Sequence, residues 1–213
     1  IPIALEILSD MLYNPSLSPD DMALERQVIK EEIRMYEDSP EDLVYDLSSY
    51  AAWGDTPMGR TILGTYESLD GITPDIMRNY MNNHYTSANT IISVSGNFDD
   101  TFFELLEKYF GTKKMPDTKP YLPDAPYISK NNIVKEKDIE QVQLVATFKG
   151  IDVMDESVYS LLVFNNVFGS GMSSRLFQNI REQRGLVYSI SAGHSAYINT
   201  GVFDISAGMS PES

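Results

Sequence analysis

Two carboxylates on one helix face are the first chemistry the sequence offers. Glu25 and Glu32 stand seven residues apart in the stretch 19–38, and at about 100° per residue they fall within about 20° of one another. Met22, Val28, Ile29, Met35 and Tyr36 share their side, while Arg26, Lys30, Arg34 and Glu37 take the opposite one. The expectation is a pair of acids in the middle of an apolar face. An ionised carboxylate buried without a partner is costly, so each calls for a hydrogen-bond donor, a cation or a metal ion. A face that is only partly buried, or an arginine from another helix, answers the same need.

Arg181 and Tyr188 form a second pair, bracketing Gln183-Arg184-Gly185-Leu186 where a helix gives way to a strand. A guanidinium and a phenol across such a corner could bind a peptide carbonyl or steady a developing oxyanion. A surface arginine beside a half-buried tyrosine is the plainer account of the spacing. Gly169-Ser170-Gly171 precedes a helix but lacks the Gly-Lys-[Ser/Thr] of a phosphate loop and the third glycine of a dinucleotide fingerprint, so it reads as packing or a turn. Asp20-Asp21 and Asp99-Asp100 read as helix-start acids, not calcium loops. The two histidines, His84 and His194, are followed four residues on by Ala88 and Ile198, so neither belongs to a helical zinc pair.

Composition limits the chemistry further. The 213 residues hold no cysteine, which excludes thiol catalysis, disulfides and cysteine-type zinc sites. A net charge of -15 argues against a nucleic-acid partner, whose phosphates require a basic face. No apolar run approaches the roughly 20 residues of a spanning helix, so no membrane partner is expected. Cytoplasmic residence fits the lack of cysteine. The opening Ile1-Pro2-Ile3 shows no secretory signal, and the start in what reads as mid-helix suggests a piece of a longer protein.

The elements that must position these residues carry clear start signals. Ser18-Pro19, Ser39-Pro40 and Thr73-Pro74 each put a hydroxyl at the N-cap and proline at the first helical position, with acids following. Those helices are expected to run to Asp38, Trp53 and His84. Asn89–Gly96 alternates as a strand and Asp99–Phe110 reads as a helix stopped by Gly111. A proline-rich linker over 112–132, with Pro116, Pro120, Pro123 and Pro126, follows. Residues 1–111 carry 6 basic and 20 acidic groups, net -14, against 10 and 11, net -1, over 112–213. Two domains, or parts of two, are expected. Beyond the linker, Ile133–Lys137 and Gln141–Lys149 read as strands, Asp155–Phe168 as a helix, and a helix capped by Ser173 or Ser174 reaches Arg184. Leu186–Ala196 and Gly201–Gly208 then read as a hairpin. Both halves suit one duplicated α+β module.

Several of these stretches resemble one family in its order. Glu25-Arg26-Gln27-Val28-Ile29-Lys30-Glu31-Glu32-Ile33 resembles the segment carrying the third zinc ligand of the insulinase/pitrilysin metallopeptidases, and the likeness is nearest to small bacterial members related to mitochondrial processing peptidase. Asp42-Leu43-Val44-Tyr45-Asp46, Pro57-Met58-Gly59-Arg60-Thr61-Ile62-Leu63-Gly64, His84-Tyr85 and Asp138-Ile139-Glu140-Gln141 follow. The most specific match is Gly171-Met172-Ser173-Ser174-Arg175-Leu176-Phe177-Gln178-Asn179-Ile180-Arg181-Glu182-Gln183-Arg184-Gly185-Leu186-Val187-Tyr188-Ser189.

The resemblance implies an α+β fold, a partial tandem of two homologous metallopeptidase-type sandwich domains with antiparallel-rich sheets packed by helices. Residues 1–111 would be the later part of the zinc-site domain and 133–213 the early part of the substrate-binding domain. Glu32 would be the zinc-ligating carboxylate and Glu25 its supporting acid. Arg181 and Tyr188 would hold substrate backbone, reaching the zinc site from the other subunit of a homodimer or of a paired homologous subunit. The implied activity is zinc-dependent endopeptidase cleavage of unstructured peptides. The family's H-x-x-E-H motif, with two histidine ligands and the water-activating glutamate, has no counterpart in these 213 residues. The chain by itself is therefore expected to be inactive. A non-catalytic peptide-binding or scaffold subunit of a processing-peptidase-like pair is the alternative.

Overall fold

The computed structural model describes residues 2–111, 124 and 128–213. Most of the linker expected over 112–132 lies outside the described residues. Helices and one antiparallel sheet make up the fold, in the order α1 (Pro2–Tyr13), α2 (Pro19–Asp38), α3 (Pro40–Trp53), α4 (Tyr66–Asp70), α5 (Pro74–His84), α6 (Thr101–Leu106), β1 (Val142–Lys149), α7 (Val158–Phe168), β2 (Ser189–Ala196) and β3 (Gly201–Met209).

The three serine- or threonine-proline signals start helices as expected. Ser39 Oγ accepts from the Asp42 N–H and Thr73 Oγ1 from the Ile76 N–H. The Ser18 hydroxyl accepts from the Asp21 N–H at 3.1 Å and donates to the Asp21 carboxylate at 2.6 Å, so donor and acceptor are satisfied together.

Packing divides the chain into two compact units, one drawn from 1–30 and 66–122, the other from 31–65 and 123–213. In the first, Leu5, Leu69 and Phe102 are buried. Tyr13 lies tilted against Phe110, with ring centroids 6.0 Å apart, and donates its hydroxyl to the Phe110 carbonyl at 3.2 Å. In the second, Ala52, Trp53 and Val202 form the buried core, with Met58 and Ile128 against it. Residues 31–65 thus group with the sheet and not with the whole of 1–111. The reason is local: Ser48 on α3 shares a short hydrogen bond with Thr147 on β1, and the Ser129 N–H donates to the Ala52 carbonyl at 2.8 Å.

The sheet has the order β1-β3-β2, antiparallel throughout. Thr147 faces Asp204 across one ladder, and His194 faces Phe203 across the other. Phe203 lies 5.9 Å from Phe164 and 6.2 Å from Phe168, so α7 covers that face while Val202, Asp204 and Thr147 look the other way. The expected hairpin forms, and so does the strand expected over 141–149. Two expected strands do not: 89–96 and 133–137 make no ladder among the described residues. Alternation qualifies a segment for a sheet, but only a neighbour makes it a strand. Gly169 closes the fold beneath the sheet. The Ala192 N–H donates to its carbonyl at 3.1 Å, and a Cβ there would stand 2.6 Å from that nitrogen. Packing, as expected, and not phosphate cradling explains the Gly169-Ser170-Gly171 run.

Candidate functional site

Helix α2 carries Glu25 and Glu32, but the side it packs is not the one its hydropathy suggests. Both glutamates are exposed, as are Leu24, Val28, Met35 and Tyr36 nearby, with Met35 at 69 %. The buried position is Ile33, and the flanking Arg26 and Lys30 are half-buried. This corrects the expectation that the acids sit in a buried apolar face.

The cause is the turn that ends α4, where the Leu69 carbonyl, already taken by the Ile72 N–H at 3.1 Å, and the Ile72 carbonyl have room for further donors. Arg26 supplies two, from Nε to the Leu69 carbonyl at 3.1 Å and from Nη2 to the Ile72 carbonyl at 2.8 Å. Lys30 reaches the Asp70 carboxylate at 2.7 Å. The basic face of α2 therefore packs through its donors and its aliphatic stems. Opposite it, the two carboxylates stand on an open stripe of apolar side chains, and among the described residues neither has an ion-pair or hydrogen-bond partner.

Arg181 and Tyr188 stand at either end of a single corner. The helix expected to reach Arg184 widens into a π-helical segment over Phe177–Glu182. Arg181 accepts the Gly185 N–H at its carbonyl, 3.0 Å, and lays its guanidinium 4.7 Å from the centre of the Phe177 ring. Gly185 has φ +61°, the left-handed conformation that turns the chain toward β2. Tyr188 then donates its N–H to the Gly208 carbonyl at 2.8 Å, docking the start of β2 on β3 while its side chain stays 58 % exposed. No hydrogen bond joins the guanidinium and the phenol. Each is held by its backbone, and both side chains are open to a ligand.

One polar cluster was not foreseen. Ser48, Thr147 and Asp204 form a hydrogen-bonded series from α3 across the sheet, with Thr147 Oγ1 donating to Asp204 at 2.6 Å. It borders a cavity of about 160 Å3 also lined by Tyr45, Trp53 and Tyr197. Burial holds the Asp204 carboxyl above the usual aspartate range, against the Thr147 hydrogen bond and the His194 charge, which pull it down. Thr147 and Asp204 fall on the α3-facing side of their strands, a signal the alternation contains once the pairing register is known.

No group of three histidine, cysteine or acidic side chains suited to a metal ion occurs among the described residues. A protein zinc site takes at least three such ligands. Glu25 and Glu32, two exposed carboxylates on one helix, do not make one by themselves. No helix among the described residues is long and apolar enough to cross a membrane.

Comparison with known proteins places these features. Residues 1–66 match the model of the insulinase family, peptidase family M16, and residues 71–213 match that of the peptidase M16 inactive domain. The uncharacterized zinc protease YmxG of Bacillus subtilis is 40 % identical over 96 % of the chain and 50 % of its own length. An uncharacterized zinc protease of Rickettsia felis is 37 % identical over the same shares. The chain thus spans about half the length of these curated relatives. Among solved structures, a protease from Helicobacter pylori matches with a TM-score of 0.85 at 22 % identity, covering 99 % of this chain and 52 % of its own. The peptidase M16 inactive domain of Pseudomonas fluorescens matches at 0.80 and 20 % identity, covering 98 % of this chain and 51 % of its own. These two likenesses establish the fold. On the two family matches and the identity to the zinc proteases, the chain belongs to the insulinase family of peptidases, M16.

Proposed function

We propose that this chain is part of a zinc-dependent endopeptidase that cleaves unstructured peptides, working as a homodimer or with a paired homologous subunit. Glu32 supplies one carboxylate to a zinc ion whose other ligands lie outside these 213 residues, and Glu25, one double turn earlier, supports it. The observation that carries the reading is the open stripe of α2. Two carboxylates without partners stand on an apolar face that nothing among the described residues covers. A covering element that excluded water there would have to compensate their charge, and a divalent cation does so.

The chain's own residues have a separable task. Arg181 offers a guanidinium held in place by the Phe177 ring, and Tyr188 offers a phenol at the root of β2. A guanidinium donates to backbone carbonyls through several N–H groups, and a phenol adds one O–H toward an oxygen that gains charge. Both residues orient substrate backbone. Neither has a place in holding the metal, which separates their effect from that of Glu32. Without the remaining ligands the chain by itself is inactive.

The test uses the longer protein. Arg181→Ala and Tyr188→Phe are expected to lower kcat/KM on an unstructured peptide by about 100- to 1000-fold, the range for losing a positioned donor. Zinc content is expected to stay at the unsubstituted level. Zinc loss in either variant contradicts the assignment, and unchanged turnover in both removes the pair from the site. A scaffold subunit that never cleaves peptides is the reading left if the unsubstituted longer protein binds zinc-free and turns over nothing.

A further inference from the structure

Arg26 ties together parts of the chain that lie far apart in sequence. Its Nε donates to the Leu69 carbonyl and its Nη2 to the Ile72 carbonyl, 43 and 46 residues on. One planar guanidinium therefore spans the turn between α4 and α5, ending beside Thr73, the N-cap of α5. That turn is itself fixed. The Gly71 N–H donates to the Glu67 carbonyl at 3.2 Å, the Ile72 N–H to the Leu69 carbonyl, and the Leu69 side chain is buried. About one turn further along α2, Lys30 adds a second attachment on the Asp70 carboxylate.

Two attachments at i and i+4 on one helix set its rotation about its own axis as well as its place along it. Rotation decides where the carboxylates point. At about 100° per residue, Glu25 and Glu32 lie about 100° and 120° around from Arg26 in the same sense, and Glu32 is about 9 Å further along the axis. Helix α2 is unbroken over Pro19–Asp38, so both acids follow any turn made at Arg26. Slipping the helix by one residue would swing each by about 100°. Apolar burial does not select the observed rotation, because Met22, Val28, Ile29, Met35 and Tyr36 share the side of the glutamates. The directional bonds of Arg26 do select it. A guanidinium fork can serve two carbonyls at once in a fixed geometry, which a lysine ammonium on its flexible stem does not match.

We propose that Arg26 is a positioning residue for the zinc-dependent reaction. Its grip on the turn between α4 and α5 holds α2 in the rotation that presents Glu25 and Glu32 together to the metal. Arg26 touches neither metal nor substrate and acts through the helix. The role rests on the reading of Glu32 as a zinc ligand, and measurements on the longer protein separate the two.

Arg26→Met keeps the aliphatic stem and removes the fork. Its dissociation constant for zinc, measured by competition with a chelator, is expected to rise about 10- to 100-fold, the range for groups that orient a ligand from outside the metal's own ligands. At saturating zinc, KM for the peptide is expected to match the unsubstituted protein, because Arg181 and Tyr188 are untouched. Arg26→Lys keeps the charge without the fork and is expected to weaken zinc as well, which keeps the test decisive if Arg26→Met fails to fold. Arg34→Met removes a guanidinium from the same helix, where it pairs with the exposed Glu31 at 2.6 Å, and is expected to leave zinc affinity unchanged. Unchanged affinity in both Arg26 variants, beside zinc loss in Glu32→Gln, overturns the role of Arg26 and leaves the zinc assignment standing. Equal weakening by Arg34→Met assigns the effect to charge on the helix and overturns it too. A longer protein that binds no zinc, or that keeps zinc in Glu32→Gln, overturns both.

Discussion

Asp204 shows how a single carboxyl can be read from its surroundings. Burial holds its native pKa above the ordinary aspartate value even though Thr147 donates to it and His194 lies near. The folded state therefore binds this proton more tightly than the unfolded chain does, and the charged form weakens the fold at neutral pH. That penalty is relieved as pH falls through the raised native value and changes no further below the ordinary aspartate range. Asp204→Asn is thus expected to raise the melting temperature at neutral pH, with the gain shrinking as the buffer is acidified; chemical or thermal unfolding across pH reads this directly. A gain that grows on acidification contradicts the sign. Trp53, 5 % exposed beside Val202, is the neighbouring test of packing: Trp53→Ala is expected to cost about 3–5 kcal/mol in denaturant unfolding. Glu25 and Glu32 were legible in the sequence as a pair on one face. Which face of α2 packs was not legible, because a hydropathy wheel ranks arginine and lysine as outward. Arg26 and Lys30 turn inward to meet the Leu69 and Ile72 carbonyls and the Asp70 carboxylate.

At the scale of elements, legibility followed the range of the interactions. The helix starts at Pro19, Pro40 and Pro74 were plain because a cap and its first turn are local. The hairpin of β2 and β3 was plain for the same reason, its strands being close in sequence. Residues 89–96 and 133–137 have the same alternation but no ladder, since pairing depends on residues far along the chain. The widening to a π-helix over Phe177–Glu182 has no spacing signal at all, yet it sets the corner that carries Arg181 and Tyr188. Gly185 holds that corner at φ +61° with open space around its Cα. Gly185→Ala is expected to cost about 1–2 kcal/mol through backbone strain alone, seen as a lower denaturation midpoint with unchanged slope. A neutral result would show that the turn relaxes elsewhere.

For the molecule as a whole, the division of charge and the division of packing run along different lines. The acidic half ends at residue 111 by composition, whereas 31–65 pack with the sheet of the second unit. Helix α2 runs through that division, with Glu25 before it and Glu32 after it. Membership of the insulinase family was readable from the Glu25–Ile33 and Gly171–Ser189 stretches, and the family matches over 1–66 and 71–213 agree with it. No closed metal site was readable, because two acids on an open helix face fall short of the ligands a protein zinc site takes. The account therefore rests on Glu32 acting in a longer protein, and zinc content there tests it most directly. With Glu32→Gln, bound zinc measured by elemental analysis is expected to fall from about one per chain to background, together with peptidase turnover, while the circular dichroism spectrum is unchanged. Retention of stoichiometric zinc by that variant contradicts the central claim.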